Sequence, residues 1–126
     1  MSSCDRLQSD TSIPQGFSIV SKNQTYYTTV QSDGNLVVYK KGHTSLWASD
    51  TVGKGSGPFY LRMQMDGNLC LYGDEEVPLW SSKTQKAGTP PYQVKMQDDG
   101  NFCLYDTTGK CIWATNTYQS QNSDHI

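Results

Sequence analysis

Gln31-Ser32-Asp33-Gly34-Asn35-Leu36-Val37-Val38-Tyr39 returns as Gln64-Met65-Asp66-Gly67-Asn68-Leu69-Cys70-Leu71-Tyr72 and again as Gln97-Asp98-Asp99-Gly100-Asn101-Phe102-Cys103-Leu104-Tyr105, each copy 33 residues after the last. Trp47, Trp80 and Trp113 keep the same interval, and each is followed four residues on by Thr51, Thr84 or Thr117. A fixed period between about 20 and 50 residues marks a repeat architecture, in which one unit cannot bury its apolar face alone. The chain therefore reads as a single domain over 1–126, made of three units of about 25–57, 58–90 and 91–117. A lead-in of about 20 residues precedes them and a polar tail, 118–126, follows.

Each unit reads as strands and turns, because Asp-Gly before a short β-favouring run is a hairpin signal. Side-chain parity fixes the loop. A two-residue turn at Asp33-Gly34 would set Gln31 on the face of Leu36. A three-residue loop, Ser32-Asp33-Gly34, instead pairs Gln31 with Asn35 and Val30 with Leu36, and places Gly where a left-handed residue is wanted. The inner face is then Val30, Leu36 and Val38 in unit one, Leu61, Met63, Leu69 and Leu71 in unit two, and Val94, Met96, Phe102 and Leu104 in unit three. No segment sustains an apolar period of 3.6 residues, so the expected fold class is all-β with pseudo-threefold symmetry. The three tryptophans are the large residues expected to fill a shared core. Gly53 to Pro58 and Ala87 to Pro91 read as linkers between sheets.

Composition agrees with a thin, distributed core. Counted with Gly and without Tyr, apolar residues make up about 37% of the 126, against roughly 45–50% in globular chains. A net charge of −2 with no basic run gives no electrostatic footprint for nucleic acid, and no apolar stretch is long enough for membrane insertion. The opening Met1-Ser2-Ser3-Cys4 lacks a signal-peptide core, so the expected location is cytoplasmic or non-classically released. Cys4, Cys70, Cys103 and Cys111 form no Cys-x-x-Cys pair, and with only His43 and His125 beside them no metal site and no cofactor are expected. Four cysteines leave three pairings open. Asn23-Gln24-Thr25 is a glycosylation sequon with a high chance frequency.

The outer face poses the functional question. Gln has no turn role, yet amide, carboxylate, amide, a small apolar group and a phenol recur there three times. A hexopyranose asks for that mixture, since each hydroxyl both donates and accepts while the ring carbons present an apolar C–H face.

The string Gln-x-Asp-x-Asn-x-Val-x-Tyr, complete in Gln31 to Tyr39, resembles the mannose-binding motif of the bulb-type (monocot, snowdrop-like) lectins, a family also represented in fish. The resemblance covers nearly the whole chain. It implies a β-prism II fold of three four-stranded antiparallel sheets, one metal-independent sugar site per sheet, no catalysis, and mannose-containing glycans as partners. By that resemblance Asp33 and Asn35 hold the 2-hydroxyl of α-mannose, Gln31 the 3-hydroxyl and Tyr39 the 4-hydroxyl, while Val37 packs on the ring. Gln64, Asp66, Asn68, Cys70 and Tyr72 take these roles in unit two, and Gln97, Asp99, Asn101, Cys103 and Tyr105 in unit three. It also implies a homodimer, in which the tail from Tyr118 completes a partner's sheet by strand exchange; a polar tail of nine residues equally suits a disordered end.

Two departures stand out. Cys70 and Cys103 replace the motif's Val, and remain small and apolar while reduced. The positions of the family's common disulfide are held here by Gly and an aromatic residue, which removes that bridge. Cys70 and Cys103, on different sheets, are not expected to pair; Cys4 with Cys111, or free thiols, stay open. Two other function classes are weighed: a β-prism interaction module with degenerate sugar sites, and a glycoside hydrolase. The second would need a carboxyl pair roughly 5–10 Å apart, and no second acid repeats beside Asp33, Asp66 and Asp99.

Overall fold

In a computed structural model that describes residues 4–119, the three-residue loop forms in every unit. Val30 faces Leu36, Met63 faces Leu69 and Met96 faces Phe102. Gln31 N donates to Asn35 O at 2.9 Å and Gly34 N to Gln31 O at 3.1 Å, with Gly34 at φ +92°. Units two and three repeat these bonds. Each unit supplies three strands: β4 (Tyr26–Val30), β5 (Leu36–Lys40) and β6 (Thr44–Ala48); β7 (Tyr60–Met63), β8 (Leu69–Tyr72) and β9 (Pro78–Ser81); β10 (Gln93–Met96), β11 (Phe102–Tyr105) and β12 (Cys111–Ala114).

The lead-in is not a spacer. It supplies β1 (Arg6–Gln8), β2 (Thr11–Pro14) and β3 (Ser18–Val20), one edge strand to each sheet. The sheets are ordered β1-β10-β11-β12, β2-β7-β8-β9 and β3-β4-β5-β6, all antiparallel and four-stranded. Leu7, Ile13 and Ile19, six residues apart, oppose Val94, Leu61 and Thr28, which are 33 residues apart. The lead-in thus carries its own threefold pattern and visits the sheets in reverse order. This is the β-prism II arrangement.

One apolar cluster joins the three inner faces. Val30, Leu36, Val38, Leu61, Met63, Leu69, Leu71, Val94, Met96, Phe102 and Leu104 are all 0% exposed. Unit one sends a polar side chain into the same layer: Thr28 is buried and donates its hydroxyl to Met96 Sδ at 3.2 Å, which satisfies it. The tryptophans depart from expectation. They meet edge to face with ring centroids 5.3–5.8 Å apart, but stand on the edge strands β6, β9 and β12 and stay only partly buried. They flank the core instead of filling it, because Leu, Met and Phe from the central strands already occupy its middle.

The ring of units is closed by a second aromatic set. A Cβ on Gly34 would lie 2.9 Å from the Phe59 ring, one on Gly67 2.8 Å from Tyr92, and one on Gly100 2.8 Å from Tyr26. Each turn rests on an aromatic ring of the next unit, and the third turn rests on the first unit. Glycine is required there twice over, by its positive φ and by this close approach.

Cys4, Cys70, Cys103 and Cys111 are all free. The Cys4–Cys111 pairing left open by the sequence does not form: Cys4 precedes β1 and Cys111 opens β12, at opposite edges of one sheet. The expectation of an exchanged C-terminal strand falls largely on 120–126, outside the described residues, as does His125.

Candidate functional site

The motif's Asp and Asn are fixed by the turn they sit in. Asp33 Oδ1 accepts from Asn35 N at 3.0 Å, Asp66 Oδ1 from Asn68 N at 3.0 Å and Asp99 Oδ1 from Asn101 N at 2.9 Å, the Asx turn that steadies each loop. Each of these aspartates is exposed, so its carboxylate can accept further hydrogen bonds from outside the protein. The asparagine is held from behind. Asn35 Oδ1 accepts from Thr51 N at 3.3 Å and lies 3.2 Å from Ser49 Oγ, whose own proton goes to the Thr51 hydroxyl; Asn68 and Asn101 repeat this with Thr84 and Ser82, and with Thr117 and Thr115. With its oxygen engaged, each asparagine presents its NH₂ group, so Asp supplies an acceptor and Asn a donor side by side.

The repeated threonines have a further duty. Thr51, Thr84 and Thr117 each donate their hydroxyl to the motif glycine's carbonyl, at 2.5, 2.6 and 2.6 Å. The hydroxyls of Ser49, Ser82 and Thr115 bond these threonines at 2.7 Å and accept from the backbone of Leu36, Leu69 and Phe102. This second hydroxyl was readable, since it lies two residues after each tryptophan in all three units.

Gln and Tyr form the other half of the site. Gln31 is hydrogen-bonded to Tyr39, Gln64 to Tyr72 and Gln97 to Tyr105. In unit one the neighbours set the amide: Oε1 accepts from the Tyr39 hydroxyl and Nε2 lies 3.1 and 3.3 Å from the Asp33 carboxylate oxygens. Beneath this bridge the expected apolar contact residue is less available than the sequence suggested. Val37, Cys70 and Cys103 are on the outer face but only 3%, 1% and 2% exposed, forming a nearly covered floor. Burial pushes the Tyr72 and Tyr105 hydroxyls and the Cys70 thiol upward, and Cys103 up to about 12. All four stay protonated at neutral pH and add no charge to the second and third sites.

The surroundings differ. Tyr27 stacks on Tyr39 and Tyr60 on Tyr72, both at 5.2 Å, but Gln93 holds the corresponding place opposite Tyr105. Site three opens there onto a cleft of about 620 Å³ lined by Gln93, Lys95, Gln97, Tyr105 and Asp106. In unit one the exposed His43 hydrogen-bonds through Nδ1 to the Tyr27 hydroxyl at 3.0 Å. The sequon residue Asn23 has its amide engaged, accepting from Ser21 Oγ at 2.6 Å and donating to Asp98 O at 3.0 Å. Among the described residues, no three His, Cys, Asp or Glu side chains group as a metal site requires.

No protein-family model and no curated protein matches the sequence. Solved structures do. A monomeric monocot mannose-binding lectin from Gastrodia elata is similar at 35% identity and TM-score 0.81, covering 90% of this chain and 98% of that one. A lectin from Marasmius oreades is similar at 29% identity and TM-score 0.82, with coverage of 90% and 92%. The mannose-specific agglutinin from snowdrop (Galanthus nivalis), solved with methyl-α-D-mannoside, is similar at 31% identity and TM-score 0.72, with coverage of 92% and 99%.

Proposed function

This chain belongs to the monocot mannose-binding lectins, the snowdrop type, and from that premise we propose that it binds α-mannose and mannose-rich glycans at three sites. The sites are Gln31, Asp33, Asn35, Val37 and Tyr39; Gln64, Asp66, Asn68, Cys70 and Tyr72; and Gln97, Asp99, Asn101, Cys103 and Tyr105. The observation that carries the reading is the locking of each asparagine oxygen by a threonine N–H, which leaves the asparagine NH₂ to donate beside an exposed aspartate. One such pair matches a single sugar hydroxyl, donating to its oxygen and accepting its proton. The Gln–Tyr bridge offers a second donor–acceptor pair for a neighbouring hydroxyl.

No metal enters this scheme, because the polar groups themselves meet the hydroxyls. The reading is also non-catalytic: each sheet brings one motif carboxylate to its site, whereas glycoside hydrolysis uses two facing acids. Sites of this kind are open and shallow, so affinity for a branched glycan comes from several sites engaging at once, a gain of roughly 100- to 10,000-fold over one site. A homodimer would extend that gain.

Calorimetric titration with methyl-α-mannoside, against the glucoside and galactoside and with and without EDTA, is the test. Three mannose sites per chain, unchanged by EDTA, are expected. Asp33→Asn, Asp66→Asn and Asp99→Asn keep an oxygen for the Asx turn but remove the charge, and each should weaken one site at least about tenfold. Binding lost in EDTA, or no preference for mannose, would overturn the proposal; a folded protein binding no sugar would favour the interaction module.

A further inference from the structure

We propose that Cys103 and Cys111 form a reversible disulfide in the third site, with a disulfide oxidant such as oxidised glutathione accepting the electrons, and that closing it removes that site alone. The second half rests on the sugar-binding reading.

The pair is made by the register of β11 on β12. Cys103 and Tyr105 both face outward, and Cys111 stands directly opposite Tyr105, which puts the two thiols on one face of adjacent strands. A register shift between Leu104 and Tyr105 bends the edge strand at this point. Cys103 is 2% exposed in the site floor, whereas Cys111 is exposed. Neither other site has such a pair, since the positions equivalent to Cys111 are Ser45 and Pro78. Cys70, the floor of site two, faces Arg62 and Ser81.

The chemistry runs in two exchanges. The exposed Cys111 thiolate attacks oxidised glutathione, giving a mixed disulfide and releasing one glutathione thiolate. The Cys103 thiolate then attacks Cys111 Sγ, forming the internal disulfide and releasing the second. Two protein thiols are oxidised and one glutathione disulfide is reduced to two thiols. Burial holds the Cys103 thiol high, with the adjoining Cys111 adding to the effect, so the second exchange is slow at neutral pH.

Geometry links the bond to the site. Diagonal cross-strand neighbours start with Cα atoms about 7–8 Å apart, just beyond the roughly 4.4–6.8 Å spanned by a disulfide. Closure must draw Cys103 toward β12, displacing the floor and Tyr105 beside it. A bond formed under such strain is readily reduced, which makes the change reversible.

The experiment treats the full chain with oxidised glutathione at pH 8, then compares non-reducing peptide maps with mannose titrations. The expected result is a linked Cys103–Cys111 peptide and a fall from three sites to two, restored by dithiothreitol. Cys111→Ser, which copies Ser45 of unit one, should keep three sites throughout; Cys4→Ser, which removes the other exposed thiol, should still lose one on oxidation. A map with Cys111 carrying only glutathione, or a Cys103–Cys111 bond with all three sites intact, would overturn the proposal. If no form binds mannose, the sugar reading fails while the peptide map still decides whether the pair closes.

Discussion

The sheet of β3 to β6 and the sheet of β1 with β10 to β12 agree on one side and part on the other. Inside, Val30, Leu36 and Val38 match Met96, Phe102 and Leu104, all fully buried in one cluster. Outside, the same Gln, Asp, Asn and Tyr are set among different neighbours: Val37, Tyr27 and Ser45 in the first sheet, Cys103, Gln93 and Cys111 in the third. Inner residues touch the other two sheets, so each must fit a common volume. Outer residues answer only to their own sheet, and each set can drift separately.

The largest expected effect would break this contrast if it came out local. Leu71→Ala and Leu104→Ala, equivalent positions with no exposure, should each cost about 2–5 kcal/mol. Because the cluster is shared, thermal unfolding should stay a single transition, and warming should abolish all sugar sites together. Two separate transitions would mean that the sheets are independent.

A smaller effect distinguishes the third unit. The Asp106 carboxylate accepts from Thr108 Oγ1 at 2.6 Å and from the backbone N–H groups of Thr89, Thr108 and Lys110, and these bonds hold its pKa down at about 2 against an ordinary 3.8. A carboxylate whose folded pKa is lowered stabilises the fold above its unfolded value and loses that contribution as pH falls. Stability should therefore drop from just below pH 4 toward pH 2. Asp106→Asn should flatten that part of a denaturant-midpoint curve, whereas Lys40→Gln at the equivalent position in unit one should not.

The smallest effect sharpens the comparison at its most local point. Gln93→Tyr should restore opposite Tyr105 the stack seen in the other two sheets, adding about 0.5–1 kcal/mol. Near-ultraviolet circular dichroism and the unfolding midpoint would register it. No gain in either would show that the two existing stacks contribute nothing.

Much of this was legible because it is local. The Asp-Gly turn, the loop length and the sorting of Val30, Leu36 and Val38 from Gln31, Asn35 and Tyr39 follow from a period of two and a left-handed glycine, both properties of neighbouring residues. The gathering of Gln, Asp, Asn and Tyr on one face followed from the same parity. The role of Thr51 was not legible: the residue was visible as a repeat, but its bonds to Gly34 and Asn35 reach across a strand and a turn. Cys111 beside Cys103 was missed as well, since the shift between Leu104 and Tyr105 decides which residue of β12 stands where.

The sequence by itself determined that three equal units would each present an apolar and a polar face, because a 33-residue repeat imposes the same strand pattern three times. Only the tertiary structure decided what completes them. Leu7, Ile13 and Ile19 finish sheets whose other strands lie far along the chain, and Gly34, Gly67 and Gly100 rest on rings of the following unit. Those contacts join residues with no local signal toward one another, and what pairs them is the need of three one-sided sheets to bury their inner faces together.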